Sequence, residues 1–185
     1  MDEKMIIAGF GGQGVLSMGK MLAEAALAEG REVSWLPSYG PEMRGGTSNV
    51  SVILSDKPIG APTISFGKAT CVIALNRPSL EKFEPALIPG GLLLIDNSVV
   101  DVEPVRKDIT VIKVPAGNIA DELGNGKVAN MVMLGAYLAQ TSAVNPETLL
   151  GQLSLVFGEK KAHLVELNRK AIGAGGQCVE KGQTN

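Results

Sequence analysis

Apolar residues in this chain gather in short runs separated by longer stretches of helical period. Met5 to Ala8 is an apolar run that stops at Gly9, the length of a strand buried on both faces. From Gly14 the period changes. Val15, Met18, Leu22, Ala25 and Ala26 recur at helical spacing, and Gly30 closes the segment as a C-terminal cap. Arg31 to Leu36 reads as a second strand, so strand, glycine turn, helix and strand form one βαβ unit with a right-handed crossover. Asn49 to Leu54 alternates like a strand with one wetter face, and Asp56-Lys57-Pro58 is a turn. Cys71–Leu75, Leu92–Ile95 and Thr110–Val114 read as further strands. Ser79 caps a short helix through Ala86, which Pro89-Gly90 ends.

The final third is helical. The spacing predicts helices over 116–123, over 128–140, from Asn145-Pro146 (a cap followed by proline at the first helical position) to Phe157, and over 159–172. Gly173 to Asn185 is polar and glycine-rich and is expected to fray. The pattern predicts an α/β domain of three layers, with a mostly parallel sheet, a Rossmann-like βαβ start and a helical C-terminal third. The expected organisation is a single domain over 1–175 and a flexible tail over 176–185. The sequence shows no internal repeat and no linker long enough to separate two domains.

Composition narrows the partners. In 185 residues, 45% are hydrophobic and 19% charged, which supplies a sizeable core and excludes general disorder. The net charge is −2, no segment clusters lysine and arginine, and aromatics are only 4%. Nucleic acid is therefore not an expected partner. Cys71 lies in an apolar run and Cys178 in the polar tail. Without a C-x-x-C pair, the chain offers no iron–sulfur or structural zinc site of its own. The start of the chain lacks a signal-peptide profile and no run approaches a membrane span, so the chain reads as cytoplasmic, with no membrane.

Two segments carry candidate chemistry. Gly9-Phe10-Gly11-Gly12-Gln13-Gly14 has the G-x-G-x-x-G spacing at Gly9, Gly11 and Gly14, after a strand and opening a helix. Its glycines allow a tight turn and close approach of backbone to a ligand, and the first N–H groups of the helix favour a phosphate or carboxylate. The Gln13 amide donates and accepts, so it can orient a bound group. The same glycines equally serve close packing of helix on sheet. A dinucleotide site expects an acid at the end of the second strand, where this chain has Trp35-Leu36-Pro37-Ser38. That argues against autonomous NAD(P) binding. The second segment, Tyr39 to Ser48, is a polar loop at the carboxyl end of a strand. Arg44 offers a planar fork for an anion, Gly45 and Gly46 allow close approach, Thr47 and Ser48 add hydroxyls, and Glu42 can hold Arg44 or meet a partner. A solvated loop with a local Glu–Arg pair is the plainer reading. Asn130 opens an otherwise apolar helix beside Lys127, facing the cleft or capping the helix. Asp96 and Asn97 read as turn formers, and His163, the one histidine, as a surface residue. No nucleophilic triad and no metal-ligand set emerges, so no catalytic residue is assigned.

These residues resemble a known family. Gly9–Leu16, then Tyr39-Gly40-Pro41-Glu42-Met43-Arg44-Gly45-Gly46-Thr47-Ser48, then Asn130-Met131-Val132-Met133-Leu134-Gly135 are similar to the gamma subunit of 2-oxoacid:ferredoxin oxidoreductases. The resemblance spans about Lys4 to Gly175 and is strongest to the 2-oxoglutarate branch, with the branched-chain and pyruvate branches close behind. It implies a subunit of an enzyme that decarboxylates a 2-oxoacid on thiamine diphosphate, passes electrons through iron–sulfur clusters to ferredoxin and forms an acyl-CoA. Thiamine diphosphate, magnesium and the clusters are implied on alpha, beta and, where present, delta subunits, with none bound by this chain alone. CoA enters as cosubstrate. The implied cleft is lined by Gly9, Gly11, Gly12, Gln13 and Gly14 together with Tyr39, Glu42, Arg44, Gly45, Gly46, Thr47, Ser48 and Asn130. A surface made for partners is also expected to pair with a second copy when they are absent. Two alternatives stay open at the level of the residues: a free-standing nucleotide-binding Rossmann-like protein, and a purely structural assembly subunit.

Overall fold

A computed structural model describes residues 2–38, 47–157 and 162–182. These residues form strands β1 (Glu3–Phe10), β2 (Glu32–Pro37), β3 (Thr47–Ser55), β4 (Ala69–Ala74), β5 (Leu87–Asp96) and β6 (Thr110–Val114). The helices are α1 (Val15–Ala28), α2 (Arg77–Phe83), α3 (Ala116–Glu122), α4 (Ala129–Thr141), α5 (Pro146–Phe157) and α6 (Ala162–Gly182), with 3-10 turns at Glu84–Ala86 and Gly126–Val128.

The strands make one sheet in the order β2-β3-β1-β4-β5-β6. β1, β4, β5 and β6 pair in parallel, while β3 is antiparallel to both β1 and β2. The sheet is thus mostly parallel, as expected, and β1-α1-β2 is its Rossmann-like start. The two strands of that unit are not neighbours, however, because β3 is wedged between them. Its Val50, Val52 and Leu54 are fully buried under α1, which suits an interior position.

Strand alternation divides the core in two. Met5, Ile7, Cys71 and Ile73 face a large cluster covered by α1, α3, α4, α5 and α6. Ile6, Val72, Ala74, Leu93 and Ile95 face a smaller cluster under α2 and the 98–109 segment. α1 comes close to the sheet at Gly19, where a Cβ would sit 2.7 Å from a Val50 methyl.

Three boundaries differ from the sequence reading. α2 is capped by Asn76, whose Oδ1 accepts from the Ser79 N–H at 2.8 Å, not by Ser79. The cap precedes Arg77-Pro78, so proline again falls in the first turn. β5 begins at Leu87 and passes through Pro89-Gly90 with a shift of register against β4. Finally, the chain expected to fray from Gly173 continues α6 to Gly182, with Ile172 and Val179 buried. Its glycines make that possible. A Cβ on Gly135 of α4 would lie 2.0 Å from the Ile172 carbonyl oxygen, and one on Gly175 1.9 Å from that of Val132. The two helices cross backbone to backbone.

Candidate functional site

The parallel strands present their carboxyl ends at one edge of the sheet, where ligands of open α/β folds bind. The glycine turn leaves β1 at this edge. It is held by a Gln13 side chain spent inside the protein: Nε2 donates to the Leu75 carbonyl at 2.8 Å and Oε1 accepts from the Phe10 N–H at 2.6 Å. Asn76 Nδ2 adds a long contact to the same oxygen at 3.4 Å. Gly9, which is buried, leaves room for this arrangement, since a Cβ there would meet Gln13 Oε1 at 2.7 Å. Gly11 and Gly12 are at the tip, Gly11 exposed and Gly12 at its side. Gly14 caps α1 with a left-handed backbone, φ 77°, and contributes no side-chain cap.

Opposite the turn stands Asn130, the second residue of α4. Its Nδ2 would lie 2.4 Å from a Cβ on Gly14, so the amide and the start of α1 are in direct contact. Gly12, Gln13, Leu75, Asp96, Gly117, Lys127 and Asn130 line a cavity of about 250 Å³. The structure therefore unites Gly12, Gln13, Lys127 and Asn130, all named in the sequence reading, with Asp96, read there as a turn former, and adds Gly117. Asp96 is more than a turn former. Its Oδ1 accepts from the Ser98 N–H at 3.1 Å and from the Ala116 N–H at 3.1 Å, which joins the end of β5 to the start of α3.

Thr47 and Ser48, expected in the loop, open β3 instead, and their partners across the ladder are Phe10 and Gly9. On the other side of β3, the Ser38 N–H donates to the Asn49 carbonyl at 2.9 Å and extends the pairing with β2 to this edge. Ser48 is buried. Tyr39, Glu42, Arg44, Gly45 and Gly46 lie outside the described residues. The described chain on both sides of them, Ser38 and Thr47, ends at this same edge, next to the glycine turn.

Donors for an inorganic cofactor do not converge here. Among the described residues, no group of three or more His, Cys, Asp and Glu could hold a metal ion. Cys71 is core, and burial pushes its thiol well above the ordinary value. His163 is exposed. Cys71 and Cys178 are the described cysteines, too few to hold an iron–sulfur cluster. No described helix is long and apolar enough to cross a membrane.

The sequence model of a family described as Pyruvate ferredoxin/flavodoxin oxidoreductase matches residues 4–178. The chain is 40% identical over 181 residues to ketoisovalerate oxidoreductase subunit VorA of Methanothermobacter marburgensis, covering 97% of this chain and 37% of that protein. It is 36% identical over 152 residues to 2-oxoglutarate synthase subunit KorC of Methanocaldococcus jannaschii, covering 80% of each. Its fold is similar to the keto/oxoacid ferredoxin oxidoreductase gamma subunit from Geobacter sulfurreducens PCA, with a TM-score of 0.82, 32% identity, and 97% of this chain and 99% of that one covered. The chain thus spans just over a third of the length of the VorA proteins it matches.

Proposed function

This chain belongs to the pyruvate ferredoxin/flavodoxin oxidoreductase family, and from that membership we propose that it is the gamma subunit of a 2-oxoacid:ferredoxin oxidoreductase. The match across residues 4–178 is the observation that carries the reading. In this role the chain packs against alpha and beta subunits, with delta where present. Those subunits hold thiamine diphosphate, magnesium and the iron–sulfur clusters and deliver electrons to ferredoxin. The chain is a cytoplasmic component and has little activity by itself.

Its own residues bind, orient and exclude water. The glycine turn, the Tyr39–Ser48 segment and Asn130 line one side of a cleft that the partners complete. Arg44 binds an anionic group there, a CoA phosphate or an oxoacid carboxylate, through its planar fork. Holding the cosubstrate in register and keeping water from a reactive intermediate lowers the barrier without proton transfer by this chain.

The resemblance of the Tyr39–Ser48 segment supports 2-oxoglutarate as the oxoacid. A second reading, ketoisovalerate, is favoured by the 40% identity to VorA. The test is anaerobic turnover of the assembled complex with each oxoacid and CoA. Arg44→Ala is expected to lower turnover by about 10- to 100-fold, the worth of one charged hydrogen bond, with assembly intact. Unchanged turnover in an intact complex removes Arg44 from the cleft. The preferred oxoacid decides between the two readings.

A further inference from the structure

β6 closes one end of the sheet, and among the described residues no strand pairs with its outer edge. Its ladder to β5 fixes which backbone groups are left over. The Val114 carbonyl accepts from the Asn97 N–H at 3.0 Å, and the Asp108 carbonyl from the Gly90 N–H at 2.7 Å. Backbone groups alternate in direction along a strand. Thr110 and Ile112 therefore also turn to β5, while Val111 and Lys113 turn their N–H and C=O outward. These outward groups have no partner among the described residues. The opposite edge of the sheet is guarded. β2 ends in Pro37, which lacks an N–H, and its Ser34 hydroxyl donates to the Pro62 carbonyl at 2.9 Å. β6 carries no proline.

The outer edge of β6 opens into a groove of about 610 Å³. One wall is the 103–107 segment, with Pro104, Arg106 and Lys107. The other is Gln140 of α4 with Cys178 and Val179 of α6. Side chains along β6 alternate between these walls: Ile112 faces the helices and Val111 the smaller cluster. A strand laid here would set one row of side chains against Ile112 and Val179, and the other against Lys107 and Lys113. Three cations (Arg106, Lys107 and Lys113) and one carboxylate (Glu103) line the groove, in a chain whose net charge is −2. Glu103 is paired with Lys113, and Arg106 with Asp108. Lys107 is exposed and meets no carboxylate at ion-pair distance among the described residues. A second copy of the chain would bring the same cations to this edge and be repelled, so an acidic occupant fits better.

We propose that the β6 edge takes an added strand, an extended segment of a partner protein in which apolar residues alternate with acidic ones. Its backbone pairs with Val111 and Lys113, its apolar side chains lie over Ile112 and Val179, and its carboxylates meet Lys107 and its neighbours. The groove shares no residue with the cavity at the glycine turn. Binding there goes beyond the subunit reading and does not depend on it.

The test is fluorescence anisotropy of the full-length chain with dye-labelled, capped peptides long enough to span β6, alternating valine with glutamate or valine with lysine. The glutamate peptide is expected to bind at least about fivefold tighter than the lysine peptide, the upper worth of one exposed ion pair. The same glutamate peptide N-methylated along its backbone should lose about tenfold or more, because it cannot donate to the edge. Lys107→Glu should weaken the glutamate peptide about fivefold, and its melting temperature checks the fold. Equal binding of the N-methylated peptide overturns strand addition. Absence of binding by the glutamate peptide, equal binding of the lysine peptide, or indifference to Lys107→Glu overturns the acidic partner at this edge. A chain that sediments as a dimer and releases the peptide as it dimerises names a second copy as the occupant, which overturns it too.

Discussion

Gln13 looks in sequence like a ligand-facing amide, and in the fold it is a clamp between the end of β1 and Leu75. The partner lies 62 residues away in the chain, so no local pattern announces it. Gln13→Ala strands the Leu75 carbonyl and the Phe10 N–H, and is expected to lower the free energy of unfolding by about 1–3 kcal/mol. Gln13→Glu keeps the acceptor for Phe10 but sets a carboxylate oxygen against the Leu75 carbonyl oxygen, so urea titration should place it no more stable than Ala. A Glu variant as stable as the wild type would mean that the Leu75 hydrogen bond contributes nothing. The glycines are legible as a turn, but their separate duties are not. Gly9 makes room for Gln13, Gly14 takes a left-handed backbone against Asn130, and the close helix–sheet contact falls to Gly19. Gly14→Ala meets both strain at φ 77° and the Asn130 amide. Its expected cost is about 1–3 kcal/mol, and an unchanged urea midpoint would show that the turn relaxes freely.

At the scale of elements, strands, helices and most caps follow from periodicity, because each signal is local. Order in the sheet does not, since nothing in β1, α1 and β2 says that β3 pairs between them. The C-terminal helix is the clearest miss. Gly173, Gly175 and Gly176 disfavour a helix by propensity, and the close crossing with α4, across the molecule, supplies contact that outweighs it. Gly135→Ala or Gly175→Ala drives a methyl into facing backbone, where no rotamer change helps. Each should cost at least about 1–3 kcal/mol, with amide exchange rising in α6 before it rises in β1. Uniform exchange across both elements would mean that α6 has no separate dependence on the crossing. The 98–109 segment carries an internal Arg106–Asp108 pair and is tied to β6 by Lys113–Glu103. The hydrogen bond from Arg106 lowers the Asp108 pKa, and that from Lys113 lowers the Glu103 pKa. A lowered carboxyl stabilises the fold above its unfolded pKa and loses that contribution as pH falls through the folded one. Protection against amide exchange in 98–109, taken relative to the intrinsic rate, should therefore fall below about pH 4, the ordinary carboxylate range. A rate in this segment that follows the intrinsic pH dependence alone would exclude the pairs.

For the whole molecule, the cavity at the carboxyl edge is legible as a place in the sequence itself, from a glycine turn that follows a strand. Of its far wall, Asn130 and Lys127 are named in the sequence and Gly117 is not, and all three reach it only through packing of the last third onto the sheet. The central claim is that the chain works as one subunit of an oxidoreductase. The most direct test is anaerobic capture of the tagged chain from its own cell, followed by assay of the eluate for oxoacid- and CoA-dependent reduction of a viologen dye. Thiamine- and iron–sulfur-bearing partners that co-purify with that activity are the expected result. A chain recovered alone, with no such activity in the eluate, would contradict it.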